Sequence, residues 1–420
     1  MADLVYREVD ISRWEPALAE GPVLAVANHF GGLSDGVLLV DATPRMPRIV
    51  ARDAIWKVPV AGWLASAAGM IPVHRAEDGS RASTDVMFAS AYRALAEGEL
   101  VLIFPEGVTQ DVPYMATVRT GAARIALGSR AAGVTGIRIL PLGVHYEDKA
   151  GFRTRALVNP GQSFDLDAWV AQRPKGVPGG AEDHVAVHEL TAAIDRALRR
   201  AAPDFPDWET VEALHQSAEV LLADVDPVPA PQLRYGDVEL LAGRLNRLPE
   251  PGRGALVAAG AQYRAALREA GTSDLAVLAA RSPIPRSFRW LADLALVAIL
   301  LPFALAGILV ATVPLLLVTI VSRLRISPAV RATAVPGVAL ITFVAEWVLL
   351  ALQAGRMGGW ALGSAMLLLF PFFVGALFVV AELVVLLLRR WRTRRRPTPS
   401  EMPRLVELRG GLADRAWGVL

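Results

Sequence analysis

His29 and Asp35 are the residues in this chain whose types and spacing could do acid–base chemistry. They fall in residues 25–36, which read Ala-Val-Ala-Asn-His-Phe-Gly-Gly-Leu-Ser-Asp-Gly. On a straight helix, at about 100° per residue, two side chains six positions apart would point roughly 120° away from each other. They meet only if the chain between them turns, and Gly31-Gly32 supply that freedom. An imidazole oriented by a carboxylate is a general base. A chance His and Asp in a loop is the alternative that these residues leave open.

The elements that must position this pair are legible in the apolar pattern. Residues 23–27 are small and β-branched and predict a buried strand that empties into the polar elbow. That end of a strand is where α/β folds bind ligands. Apolar runs at 47–51, 70–73, 100–104 and 139–144 predict further strands, and 6–9 an edge strand. Helical patterns cover 54–67, 83–97 and 119–131, with a short helix after Ser34 or Asp35 and a helical turn at 12–19. Strands alternating with helices predict an α/β domain over residues 1–164, with a mostly parallel central sheet flanked by helices.

The chain then changes character. Residues 165–285 predict a helical subdomain, with Val187, Leu190, Ile194 and Leu198 at helical spacing and a break at 227–231. A transmembrane region is expected over 286–390 and a basic cytoplasmic tail over 391–420. Residues 290–321 hold one acid, Asp293, and are long for one span of about 20 residues and short for two. They predict a hairpin bent near Pro302 and Gly307. Residues 335–354 and 358–388 predict single spans. Arginines at 281, 286 and 289, at 323, 325 and 331, and from 389 to 396 flank these segments. The positive-inside bias puts all three clusters, and the N-terminal domain with them, on the cytoplasmic side of a multi-pass membrane protein. Glu346 and Glu382 lie within apolar segments and either mark a polar path or face each other in a bundle.

Composition sets limits. The 420 residues are 53% hydrophobic, carry a net charge of +2 and contain no Cys. Mean hydropathy is +0.39, with the apolar excess after Trp290. Without Cys, disulfides, thiolate metal sites and Cys-bound intermediates are excluded. Residues 1–10 are polar and give no sign of a signal peptide. His184 and His188 stand four apart on an expected helix, but Val-Ala-Val between them supplies no Glu base, and a solvated helix face is the better reading than zinc. The C-terminal arginines are interleaved only with Trp391 among aromatics, which argues against nucleic acid as a partner.

Four clusters stand in order: Asn28-His29 with Asp35; Gly69-Met70-Ile71-Pro72-Val73-His74-Arg75; Phe104-Pro105-Glu106-Gly107; and Ile139-Leu140-Pro141-Leu142-Gly143-Val144, followed by Tyr146. Their order and spacing resemble the four blocks of the phospholipid/glycerol acyltransferase family, over about residues 21–162. Phe104 to Asp111, continuing to Arg119-Thr120-Gly121-Ala122-Ala123-Arg124, looks most like the subgroup related to yeast-type glycerol-3-phosphate acyltransferases.

That resemblance implies transfer of an acyl chain from acyl-CoA or acyl-ACP to the hydroxyl of glycerol-3-phosphate or of lysophosphatidate, among membrane lipids and with no cofactor or metal. His29 would be the base and Asp35 its orienting acid. Backbone N–H groups near Gly107 would serve the oxyanion. Arg75 with Glu106 and Gly107 would lie at the glycerol phosphate, which suits an arginine's two-pronged fork. A relative that keeps the fold and binds lipid without catalysis is the rival expectation. Two departures support it. Five residues separate His29 and Asp35 where four are common, and Val108-Thr109 replace the usual Thr-Arg after Glu-Gly. The missing arginine leaves Arg119 as the nearest basic substitute.

Overall fold

The computed structural model describes residues 5–11, 18, 20–57, 59–73, 81–149, 151, 153–173, 179–225, 233–281, 289–326, 328–392 and 398–419. The chain forms two compact units, one of Met1–Pro206 with Pro328–Thr333 and one of Asp207–Ser327 with Ala334–Leu420. The expected helical turn at 12–19 falls almost wholly outside the described residues, and so do His74 and Arg75.

The first unit is built on an eight-stranded sheet. Its strands are β1 (Tyr6–Ile11), β2 (Val23–Ala27), β3 (Arg48–Arg52), β4 (Ile71–Val73), β5 (Leu100–Ile103), β6 (Arg138–Tyr146), β7 (Thr154–Pro160) and β8 (Phe164–Asp165). The order is β1-β7-β6-β2-β5-β3-β4, with β8 paired to β6. Only β6–β7 and β6–β8 are antiparallel; the other pairings are parallel. Each of the five apolar runs forms a strand within two residues of its expected ends. β7 and β8 were not foreseen, because the apolar part of β7 is only Ala156-Leu157-Val158, between Arg155 and Asn159.

β2 lies between β5 and β6, and all five of its residues are 0% exposed. Period-two alternation splits them between two cores. Leu24 and Val26 join Val101, Ile103 and Ile139 beneath helices α3 (Arg81–Ala96), α4 (Gly121–Ala131) and α6 (His184–Ala201). Val23, Ala25 and Ala27 join Leu100, Leu102, Leu140 and Leu142 beneath α1 (Leu33–Ala42), through its Leu38, Leu39 and Ala42. The helix expected at 54–67 is divided. Asp53–Lys57 is a 3-10 turn and α2 (Pro59–Ala67) begins at proline, whose fixed φ and missing N–H suit a first helical position. α5 (Leu166–Ala171) and α6 fall in the first unit, so the boundary between units lies at 206/207 where the composition suggested 164/165.

The second unit carries α7 (Trp208–Val225), α8 (Tyr235–Asn246), α9 (Gly252–Glu269) and α10 (Asp274–Arg281), and beyond them the apolar helices. α11 (Arg289–Val310) and α12 (Thr312–Arg323) meet at Ala311, not near Pro302 and Gly307. Pro302 stays inside α11. Pro314 lies in the first turn of α12, where its lack of an N–H costs nothing. α13 (Pro328–Arg392) is two helices joined by non-helical Gly358 and Gly359, the latter at φ +77. A glycine takes that left-handed value without strain. The two arms lie side by side: Trp347 Nε1 donates to the Leu367 carbonyl at 3.0 Å, and Phe343 lies against Phe378. In this register Glu346 comes level with residues just past 370. Glu382 therefore falls roughly 13 Å further along at 1.5 Å per residue, and the two acids do not face each other. Leu291–Val310 and Thr333–Leu388 are long and apolar enough to cross a membrane. Within the expected basic tail, α14 (Met402–Trp417) is an amphipathic helix that buries Leu405, Leu412, Ala413 and Ala416.

Candidate active site

β2 delivers Asn28 and His29 from its carboxyl end, and α1 begins four residues after His29. Gly32, at φ +63, reverses the chain between them. Asp35 stands in the first turn of α1, where an acid favours the helix dipole. Its carboxylate reaches back to the Gly31 N–H, at 3.0 Å from Oδ1 and 2.9 Å from Oδ2. The same Oδ2 lies 2.8 Å from Nδ1 of His29. The turn thus brings the two residues together, and with Nδ1 engaged the other ring nitrogen, Nε2, is the one left for a substrate proton. Asp35 is wholly buried, whereas the His29 side chain retains 21% exposure. Phe104 stacks on the imidazole, with ring centroids 4.3 Å apart.

Two further strands lock the elbow. Asn28, 0% exposed, exchanges two hydrogen bonds with Val144 on β6: its Nδ2 donates to the carbonyl at 2.9 Å, and its Oδ1 accepts from the N–H at 2.7 Å. Tyr146, two residues further on β6, donates its hydroxyl to Asp35 Oδ1. Past β5, Glu106 accepts the backbone N–H of His29 on Oε1 at 2.8 Å. Its Oε2 accepts the Ala116 N–H at 2.7 Å and the Gln110 amide at 3.2 Å. Glu106 is 1% exposed, and burial pushes its pKa up against the pull of those donors.

Of the residues singled out in the sequence, His29, Asp35 and Glu106 form one connected cluster. Gly107 is exposed at φ +66, and its N–H turns inward onto the Phe104 carbonyl at 3.1 Å. It is therefore committed, so the oxyanion donor expected near Gly107 would have to be a neighbouring N–H. Arg119 is exposed and fastened by its own N–H to the Pro105 carbonyl at 2.9 Å. Its guanidinium lies beside Gly107, with Nε 3.4 Å from where a Cβ would stand. Arg75 lies outside the described residues. Gln110 and the Ala116 N–H were missed, because a loop that folds back on a carboxylate leaves no periodic signal. Tyr146 was visible only as the residue trailing the fourth block. His184 and His188 are both exposed on α6, and among the described residues no cluster of three His, Asp or Glu could hold a metal ion.

Residues 8–145 match the family model described as Acyltransferase. The resemblance drawn from the four blocks is borne out. The chain is similar to glycerol-3-phosphate O-acyltransferase 2 of Saccharomyces cerevisiae, at 31% identity over 147 residues, 34% of this chain and 19% of that protein. It is also similar to lyso-ornithine lipid O-acyltransferase of Rhizobium meliloti, at 30% identity over 128 residues, 30% of this chain and 41% of that protein. It therefore spans less than half the length of either relative. The crystal structure of the 1-acyl-sn-glycerophosphate acyltransferase PlsC from Thermotoga maritima aligns with a TM-score of 0.30 and 18% identity over 44% of this chain and 73% of that one, too weak a likeness to argue from.

Proposed function

We propose that this protein is a membrane-bound O-acyltransferase that moves an acyl chain from acyl-CoA or acyl-ACP to a hydroxyl of glycerol-3-phosphate. The observation that carries the reading is the His29–Asp35 contact of 2.8 Å at the carboxyl end of the central strand. The alcohol oxygen attacks the thioester carbon as its proton passes to Nε2 of His29. The tetrahedral intermediate collapses, the C–S bond breaks, and the proton returns to the departing thiolate. Asp35 holds the ring and stabilises the imidazolium. Glu106 and Asn28 keep the elbow in place, and Arg119 and Arg75 meet the phosphate. Gly107 supplies the left-handed φ of +66 at the turn beside Arg119.

The acceptor is read as glycerol-3-phosphate from the yeast relative; lysophosphatidate is the close alternative. The apolar helices support a multi-pass protein, with the catalytic unit on the cytoplasmic side as the arginine distribution predicts. The test is acyl transfer by the purified protein in lipid vesicles. Labelled acyl-CoA and acyl-ACP are offered with glycerol-3-phosphate, lysophosphatidate and lyso-ornithine lipid. Ester formation fastest on glycerol-3-phosphate is expected. Fastest transfer to a lyso-lipid reassigns the acceptor. No ester with any acceptor leaves the non-catalytic lipid-binding reading.

A further inference from the structure

The Asp35 carboxylate is wholly buried, so whatever donates to it decides where its charge points. Among the described residues three groups do so: the His29 ring, the Gly31 N–H, and the Tyr146 hydroxyl on Oδ1. The first two belong to the elbow itself. Five residues including two glycines separate His29 from Asp35, and such a loop does not fix its own closure. Tyr146 comes from a different strand, and that strand is already pinned to the elbow two residues earlier through Asn28 and Val144. β6 therefore grips the elbow twice, through the Val144 backbone and through the Tyr146 side chain. The elbow in turn makes room for the hydroxyl. A Cβ on Gly31 would stand 2.8 Å from both Asp35 Oδ1 and the Tyr146 oxygen. Tyr6 packs on the ring of Tyr146, with centroids 5.8 Å apart. Burial first, and the Asp35 charge second, drive the Tyr146 pKa well above its ordinary value, so the hydroxyl stays a donor.

We propose that Tyr146 is a positioning residue of the acyl-transfer centre: it holds one oxygen of Asp35 so that the other stays on Nδ1 of His29. This rests on the acid–base reading above.

Tyr146→Phe keeps the ring and removes only the hydroxyl. Its kcat should fall about tenfold, the scale of one charge-assisted hydrogen bond, with KM for donor and acceptor within about twofold. On an Asp35→Asn background the same change should cost nothing further, because its effect runs through that carboxylate. Full additivity of the two losses would overturn the proposal. A readout independent of turnover is the downfield resonance of the His29 Nδ1 proton, assigned by its loss in His29→Gln. It should move upfield in Tyr146→Phe, where the carboxylate is no longer held on Nδ1; a downfield move, meaning a tighter contact, would overturn the proposal. Should Tyr146→Phe not fold, replacing Tyr146 by 3-fluorotyrosine, a stronger donor that holds the carboxylate more firmly, should shift the resonance downfield. An unmoved resonance in either variant refutes the proposal. A resonance moved in the expected direction in a protein that transfers no acyl group would refute the acid–base reading alone and leave Tyr146 as a holder of Asp35.

Discussion

Asp35 in the first unit and Asp274 in the second are 0% and 8% exposed, and each accepts a hydrogen bond from a tyrosine hydroxyl, Tyr146 in one case and Tyr263 in the other. What differs is the third member. Asp274 meets Nε of Arg409 at 2.8 Å, and the same guanidinium reaches Asp224 at 2.6 Å and the Val220 carbonyl at 3.2 Å. The Arg409 side chain is 2% exposed. An arginine never gives up its proton, so that cluster is a fixed charge arrangement stapling α14 to α7 and α10. Asp35 instead meets an imidazole with 21% of its side chain open. An imidazole, unlike a guanidinium, can both accept and release a proton. The same carboxylate–tyrosine pairing thus faces a sealed, permanent cation in one unit and an open imidazole in the other, where the proposed chemistry would run.

Paired substitutions can break that contrast. His29→Ala should lower kcat at least ~100-fold, the usual contribution of a general base, with the thermal unfolding midpoint little changed. Arg409→Met should do the reverse. Removing one partner of a buried ion pair costs about 3–5 kcal/mol, read as a lower denaturant midpoint, while turnover per folded molecule is kept. The contrast fails if His29→Ala unfolds the protein as readily as Arg409→Met, or if Arg409→Met abolishes turnover while still folded.

A finer comparison lies within the first unit. Glu106, like Asp35, is a buried acid beside His29, yet it touches the backbone and not the ring. Glu106→Gln leaves one oxygen and sets an NH2 group against either the His29 N–H or the Ala116 N–H. A buried donor without a partner costs about 1–3 kcal/mol. The variant should lose stability by that amount, and turnover should fall less than in His29→Ala. A loss as large as that of His29→Ala would make Glu106 a direct participant.

How much of this was readable beforehand follows from the range of each interaction. β2, β5 and β6 are continuous apolar runs, so their strand character was plain, and the polar elbow after β2 marked the site. His29 and Asp35 were readable because both lie in that one elbow. The clamps were not, since Glu106 reaches back 77 positions to the His29 N–H and Asn28 reaches forward 116 positions to Val144. The same holds at the other end of the chain. Residues 391–420 read as a basic tail because Arg409 looks like one more surface arginine until Asp274, 135 positions earlier, closes on it. Pro302 suggested a bend, but a proline in an apolar helix is tolerated when its neighbours pack, here Phe303 on Phe372 at 5.1 Å.

The smallest expected effect concerns pH. Burial raises the Glu106 pKa above the ordinary glutamate value, although three donors oppose the shift. Between the ordinary value and the raised one, the folded protein holds a proton that the unfolded chain has already released. Stability attributable to Glu106 therefore falls as pH rises through that window and is level above it. Glu106→Gln lacks the titration, so the gap in denaturant midpoint between the parent protein and the variant should narrow as pH climbs through the window. A gap that widens over that range would mean that the donors from His29, Ala116 and Gln110 outweigh burial, and Glu106 would then stabilise the elbow as an ion and not as a strained one.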